Sequence, residues 1–153
     1  MSYITEFDRI KTQILVIDDD AKVESQPNDA ESIELVIQRY TTAQQVEKLW
    51  NVFVAWRTDV RNEEIDHRIV FRKVGTWRVT LFRPINISEE TSSEFQLYID
   101  SLVDGLTGNS NLFTTHPLFS KQTVDAVIEE KMIGDILCHH VELLFELEEE
   151  LVK

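Results

Sequence analysis

The chain is short of several things, and each shortage excludes something. It has one cysteine, so no internal disulfide is possible and a reducing compartment fits it. Four glycines and three prolines in 153 residues leave little material for long flexible loops. No apolar run approaches the roughly 18 residues that span a bilayer, and the first residues lack the basic-then-apolar order of a signal peptide. Positive charge is scarce as well. Fifteen Lys and Arg stand against 28 Asp and Glu, a net charge of −13, which would repel a phosphate backbone and argues against specific nucleic-acid binding. Enzyme templates are also missing: there is no phosphate-cradling G-x-x-x-x-G-K-[ST], no G-x-G-x-x-G, no H-E-x-x-H and no G-x-S-x-G. No catalytic residue, cofactor or metal is therefore expected.

What is present is an ordinary globular composition, 42% hydrophobic and 28% charged, with a length that suggests one domain able to bury its own core. The charge is unevenly spread. Residues 57–83 hold seven basic side chains (Arg57, Arg61, Arg68, Arg72, Lys73, Arg78 and Arg83) against four acids. A basic segment inside an acidic remainder fits either an exposed basic hairpin or copies of the protein meeting basic face to acidic face.

Periodicity supplies the elements. Tyr3, Phe7, Ile10, Ile14 and Ile17 recur at helical spacing, which predicts a helix over 2–17 with Ser2 as N-cap and Asp18-Asp19-Asp20 at its end. Residues 24–30 read as a loop and 32–40 as a strand. Thr42 and Gln45 form a capping box for a short helix over 42–50, and 51–60 read as a strand. Two alternating runs around Gly75 predict a hairpin over 67–85 that turns near Val74-Gly75 and ends at Pro84. Residues 87–109 read as a long helix. Ser88 is its cap, Phe95, Tyr98, Ile99, Leu102, Val103 and Leu106 form its apolar face, and Gly108 is its left-handed C-cap. A loop over 109–122 precedes a strand over 123–133, a turn at Gly134-Asp135 and a closing strand. The expected class is α+β, a mainly antiparallel twisted sheet packed against two principal helices. Trp50, Trp56 and Trp77 are expected in the core.

The closing stretch ILCHHVELLFELEEEL (136–151) raises the question of a metal. In a strand adjacent side chains point to opposite faces, so His139 and His140 cannot reach one ion. Cys138 and His140 share a face, but two ligands do not make a site, and His67 and His116 have no metal-like spacing to them. The expectation is a half-buried strand with His139 on its core face, Cys138 as a small buried hydrophobe, and Glu148, Glu149 and Glu150 as a solvated end. QILVIDDDAKVES (13–25) looks like the opening of a response-regulator receiver domain, with Asp59 about forty residues on. The lysine-proline pair and the repeating βα pattern of that family are missing.

The second half resembles the tail-terminator family of long-tailed bacteriophages and related contractile injection particles. The resemblance rests on FRKVGTWRVTLFRP (71–84), EFQLYIDSLVDGLTGNSNLF (94–113) and TVDAVIEEKMIGDILCHHVELLFEL (123–147). It covers about residues 67–150 and lies in element order and helix texture. It implies a non-enzymatic structural protein of the virion, assembled in the host cytoplasm. Six copies would form a ring that ends the tail tube and meets tube or sheath proteins and the neck connector. No catalytic residue is implied. Ring contacts through the arginine-bearing segment, Arg68, Arg72, Lys73 and Arg78, follow as the inference for how copies meet. The acidic charge supports an alternative, a small phage-encoded inhibitor of DNA-mimic type that binds a basic host enzyme.

Overall fold

The structure, a computed structural model, describes residues 3–25, 51–66, 70–84, 91–113, 123–133 and 136–152. The predicted strand over 32–40, the helix over 42–50, Trp50, the caps Ser2 and Ser88, His67, His116, Arg68 and the turn at Gly134-Asp135 lie outside the described residues.

Helix α1 spans Tyr3–Ile17 and α2 spans Thr91–Leu106. Strands β1 (Lys22–Ser25), β2 (Val52–Asp66), β3 (Val70–Pro84), β4 (Asp125–Ile133) and β5 (Ile136–Val152) form one sheet in the order β1-β2-β3-β5-β4. Its pairs are antiparallel except β1 with β2, which is parallel. The class is therefore α+β, with a mixed and mostly antiparallel sheet. Residues 24 and 25, expected in a loop, are paired in β1 with Val54 and Ala55.

Three strands are long. β2 and β3 have 15 residues each and β5 has 17, where 5–6 is usual. The hairpin expected to turn at Gly75 is not formed. β3 runs straight through Gly75, pairing it with Val60 on one side and Leu147 on the other. Space above the glycine is limited. A Cβ at residue 75 would lie 2.9 Å from Glu6 Oε2 and 3.0 Å from the Arg57 side chain, so a larger residue would have to shift the side chains of the Glu6–Arg57 ion pair.

Both helices lie on one face of the sheet, here called inner. The period-2 alternation of the strands sends Phe53, Ala55, Trp77, Val79, Leu81, Val141, Leu143, Phe145 and Leu147 to that face, where they meet Ile10 and Ile14 of α1 and Phe95, Ile99, Leu102 and Leu106 of α2. The expected apolar stripe of α2 is thus the buried one. The helix ends as anticipated, with Gly108 in the left-handed region at φ 66°. The turn that follows is tied to α1, since Arg9 donates to the Asn111 carbonyl at 2.8 Å. Asp18 closes α1 and then serves as an acceptor for Tyr98 Oη at 2.9 Å and Asn51 Nδ2 at 3.1 Å, joining α1, α2 and the start of β2.

Candidate functional site

A break in register decides what the outer face carries. Between Arg57 and Asp59 the β2–β3 pairing shifts by one residue, so Arg57 faces α1 whereas Asp59, Arg61 and Glu63 face outward. There they meet the outward residues of β3 and β5. Arg61 reaches Glu63 Oε1 at 2.8 Å, Glu146 Oε1 at 3.0 Å and Asp59 Oδ2 at 3.5 Å. Arg72 pairs with Glu63 and lies 3.6 Å from Glu148 Oε2. Further along, Arg78 pairs with Glu142 and stands 5.9 Å over the Trp56 ring.

Every arginine here engages carboxylates of its own chain. The charges respond accordingly. Hydrogen bonds from Arg72 and then Arg61 hold the Glu63 carboxyl below its usual range, and both guanidiniums are pushed up. Glu148 behaves differently: burial raises its pKa and Arg72 only partly offsets that. Glu148 is 5% exposed, so it does not belong to a solvated acidic end. β5 continues through it to Val152, with Lys73 opposite Glu149 and Arg72 opposite Glu150. Of the four residues expected at a subunit contact, Arg72, Lys73 and Arg78 fall on β3, with Arg78 the more open of the two arginines, at 44% side-chain exposure against 20% for Arg72.

The two neighbouring histidines point to opposite faces, as a strand requires. His139 stacks on Phe95 of α2 at 4.5 Å between ring centroids, on the inner face. His140 lies on the outer face, edge-on to Phe82 at 5.0 Å, with Nδ1 3.0 Å from Glu129 Oε1. Burial lowers the pKa of both imidazoles. Cys138 is fully buried and its thiol is pushed up to about 11 by desolvation, so it is protonated and unreactive at neutral pH.

Trp77 is in the core, but Trp56 is only half-buried and sits on the outer face beneath Arg78. The receiver-like acids do not form a receiver site. The residues before Asp18 are helical, Asp59 lies on an exposed stretch of β2, and the sheet is mostly antiparallel. Asp18, Asp19 and Asp20 do converge, but Asp18 is occupied by Tyr98 and Asn51. Among the described residues no helix is long and apolar enough to cross a membrane.

Sequence reasoning missed two features. One is Glu6, 2% exposed, whose Oε2 accepts from Trp77 Nε1 at 2.8 Å and from Arg57 at 3.1 Å. The signal was available: Tyr3, Glu6, Ile10 and Gln13 follow the same helical spacing as the apolar stripe. The other is the setting of β4: a strand is expected over 123–133, but not that it is the terminal strand of the described sheet with every side chain from Asp125 to Met132 exposed. No known family model matches the chain, and no curated protein matches it.

Proposed function

We propose that this chain is a structural, non-enzymatic component of a phage-type tail: a terminator whose copies form a six-membered ring that closes the tail tube and meets the neck. The observation that carries the reading is the arrangement of the second half. A strand bearing Arg72, Arg78 and Trp77 is followed by a long helix, a turn and two antiparallel closing strands, all on one sheet with the helices on one face. The tail-terminator family, whose sheet is twisted, has a hairpin, a long helix, an extended loop and two closing strands; here the antiparallel β2–β3 pair, not a turn at Gly75, stands in the place of the hairpin. The virion is then its location, and tube or sheath and connector proteins are its partners.

The charge pairing narrows where a ring contact lies. Arg72 holds a buried carboxylate of its own chain, so its charge is committed to folding. Arg78 is the more exposed and sits on the outer face beside Trp56, a pairing suited to a contact between copies. The same pairing weighs against a DNA mimic, because Glu146 and Glu148 face arginines of this chain rather than solvent partners.

The test is negative-stain microscopy of the protein alone and with polymerised phage-type tail tubes. Rings, or density at tube ends with tubes of shortened length, are expected. Arg78→Glu is expected to cut end-binding at least tenfold with little change in melting temperature, whereas Arg72→Glu is expected to lower the melting temperature itself. Protein that forms no ring and leaves tube ends bare removes the proposal.

A further inference from the structure

Among the described residues β4 is the terminal strand of the sheet, long, regular and exposed along its length. Its nine residues pair with β5 from Asp125↔Leu144 to Ile133↔Ile136 without a register shift. It has no proline and no bulge, two of the usual devices that stop an edge strand from pairing with another chain. Val127, Ile128 and Met132 are 54%, 41% and 56% exposed, on both faces of the strand. Charge is the remaining device, in Asp125, Glu129, Glu130 and Lys131.

Those four charges select one partner and one register. When a strand pairs antiparallel with its own copy about a two-fold axis normal to the sheet, like-facing residues must stand opposite one another. Each allowed register is therefore centred on a residue facing itself. Centring on Val127 sets Glu129 against Asp125. Centring on Glu129, Glu130 or Lys131 sets that charge against its own copy, and centring nearer either end overlaps no more than three residues of β4. Like charges directly opposite are destabilising. Centring on Ile128 avoids all of these. It places Lys131 of each copy opposite Asp125 of the other, twice by symmetry, and sets Ile128 against Ile128 at the axis.

We propose that a second copy of this chain pairs along β4, antiparallel and centred on Ile128, joining two sheets into one of twice the width. The contact is isologous, whereas ring contacts run head to tail, so it stands independently of the terminator reading and concerns the free protein.

Sedimentation velocity across a concentration series tests it, with the charge pair as the probe. The native chain should dimerise. Lys131→Asp and Asp125→Lys should each weaken the dimer by about tenfold or more, because each replaces two attractions by two repulsions. The double variant D125K/K131D should restore it to within a few-fold. Both positions are exposed, so the variants should keep the native circular dichroism spectrum and melting temperature. Amide exchange in 125–133 should slow as concentration rises, which locates the contact without any substitution. A native chain that stays monomeric, an association indifferent to the single charge changes, or a double variant no better than the singles would overturn the proposal.

Discussion

Glu6 shows how much a single side chain can fix. It sits where the helical stripe would take an apolar residue, yet its carboxylate accepts the Trp77 indole N–H and the Arg57 guanidinium while Tyr3 stacks on Trp77 at 5.2 Å. The Arg57 guanidinium in turn lies 5.6 Å over the Tyr3 ring. The cluster binds α1 to β2 and β3 at one point, directly over Gly75. Glu6→Ala is expected to cost about 3–5 kcal/mol, because it strands a largely buried guanidinium and a buried indole N–H. Glu6→Gln keeps an acceptor for the indole and should cost clearly less. Urea denaturation of the three proteins measures this, and a loss below about 1 kcal/mol for the alanine variant would mean that the arginine finds water instead. A carboxylate on an apolar stripe is visible in the sequence. Its partners are not, since they lie 51 and 71 residues away.

At the scale of elements, what could be read locally was read well, and what depended on a distant partner was not. α1 and α2 follow from 3.6-residue spacing, and the left-handed Gly108 from its place after the last apolar turn. The extended closing segment follows from its alternation, which also separated His139 from His140. Gly75 misled because a glycine between two alternating runs reads as a turn, whereas here the strand runs through it beneath the Glu6 and Arg57 side chains. The end of β5 misled for a similar reason: Glu148 reads as solvated until Arg72 of β3 is placed 3.6 Å from it. The β5–α2 contact also makes a prediction. Burial against Phe95, aided by Arg83 and opposed by Glu130, lowers the His139 pKa from 6.5. A folded-state pKa below the unfolded one gives stability that is present above about 6.5 and lost as pH falls through the folded value. His139→Phe retains a ring for Phe95 and removes the titration. Chemical denaturation at pH 7.5 and 5.5 should show the native chain losing more stability on acidification than the variant. His140 is left in place and contributes equally to both. Equal losses would place the acid sensitivity elsewhere.

For the whole molecule the question is how an acidic chain tolerates its own charge. The asymmetry between residues 57–83 and the remainder is plain in the sequence, and it fits a contact within one chain as well as one between chains. The fold uses it within the chain: Arg57 turns to α1, Arg61 and Arg72 to the acids of β2 and β5, and Arg78 to Glu142. Those pairs are close and several are half-buried, so added salt screens them weakly. The net charge of −13 acts over longer distances and is screened within about 10 Å at 0.1 M salt. The two effects therefore have opposite signs in a salt titration. Raising sodium chloride from 50 to 500 mM is expected to raise the melting temperature by several degrees, since about 1 kcal/mol of relieved repulsion moves a chain of this size by roughly 2–4 °C. A fall over the same range would mean that exposed ion pairs, not self-repulsion, dominate the electrostatics. Arg78→Glu raises the net negative charge by two and removes one exposed pair. If self-repulsion outweighs the ion pairs, the melting temperature of that variant should climb more steeply with salt than that of the native chain.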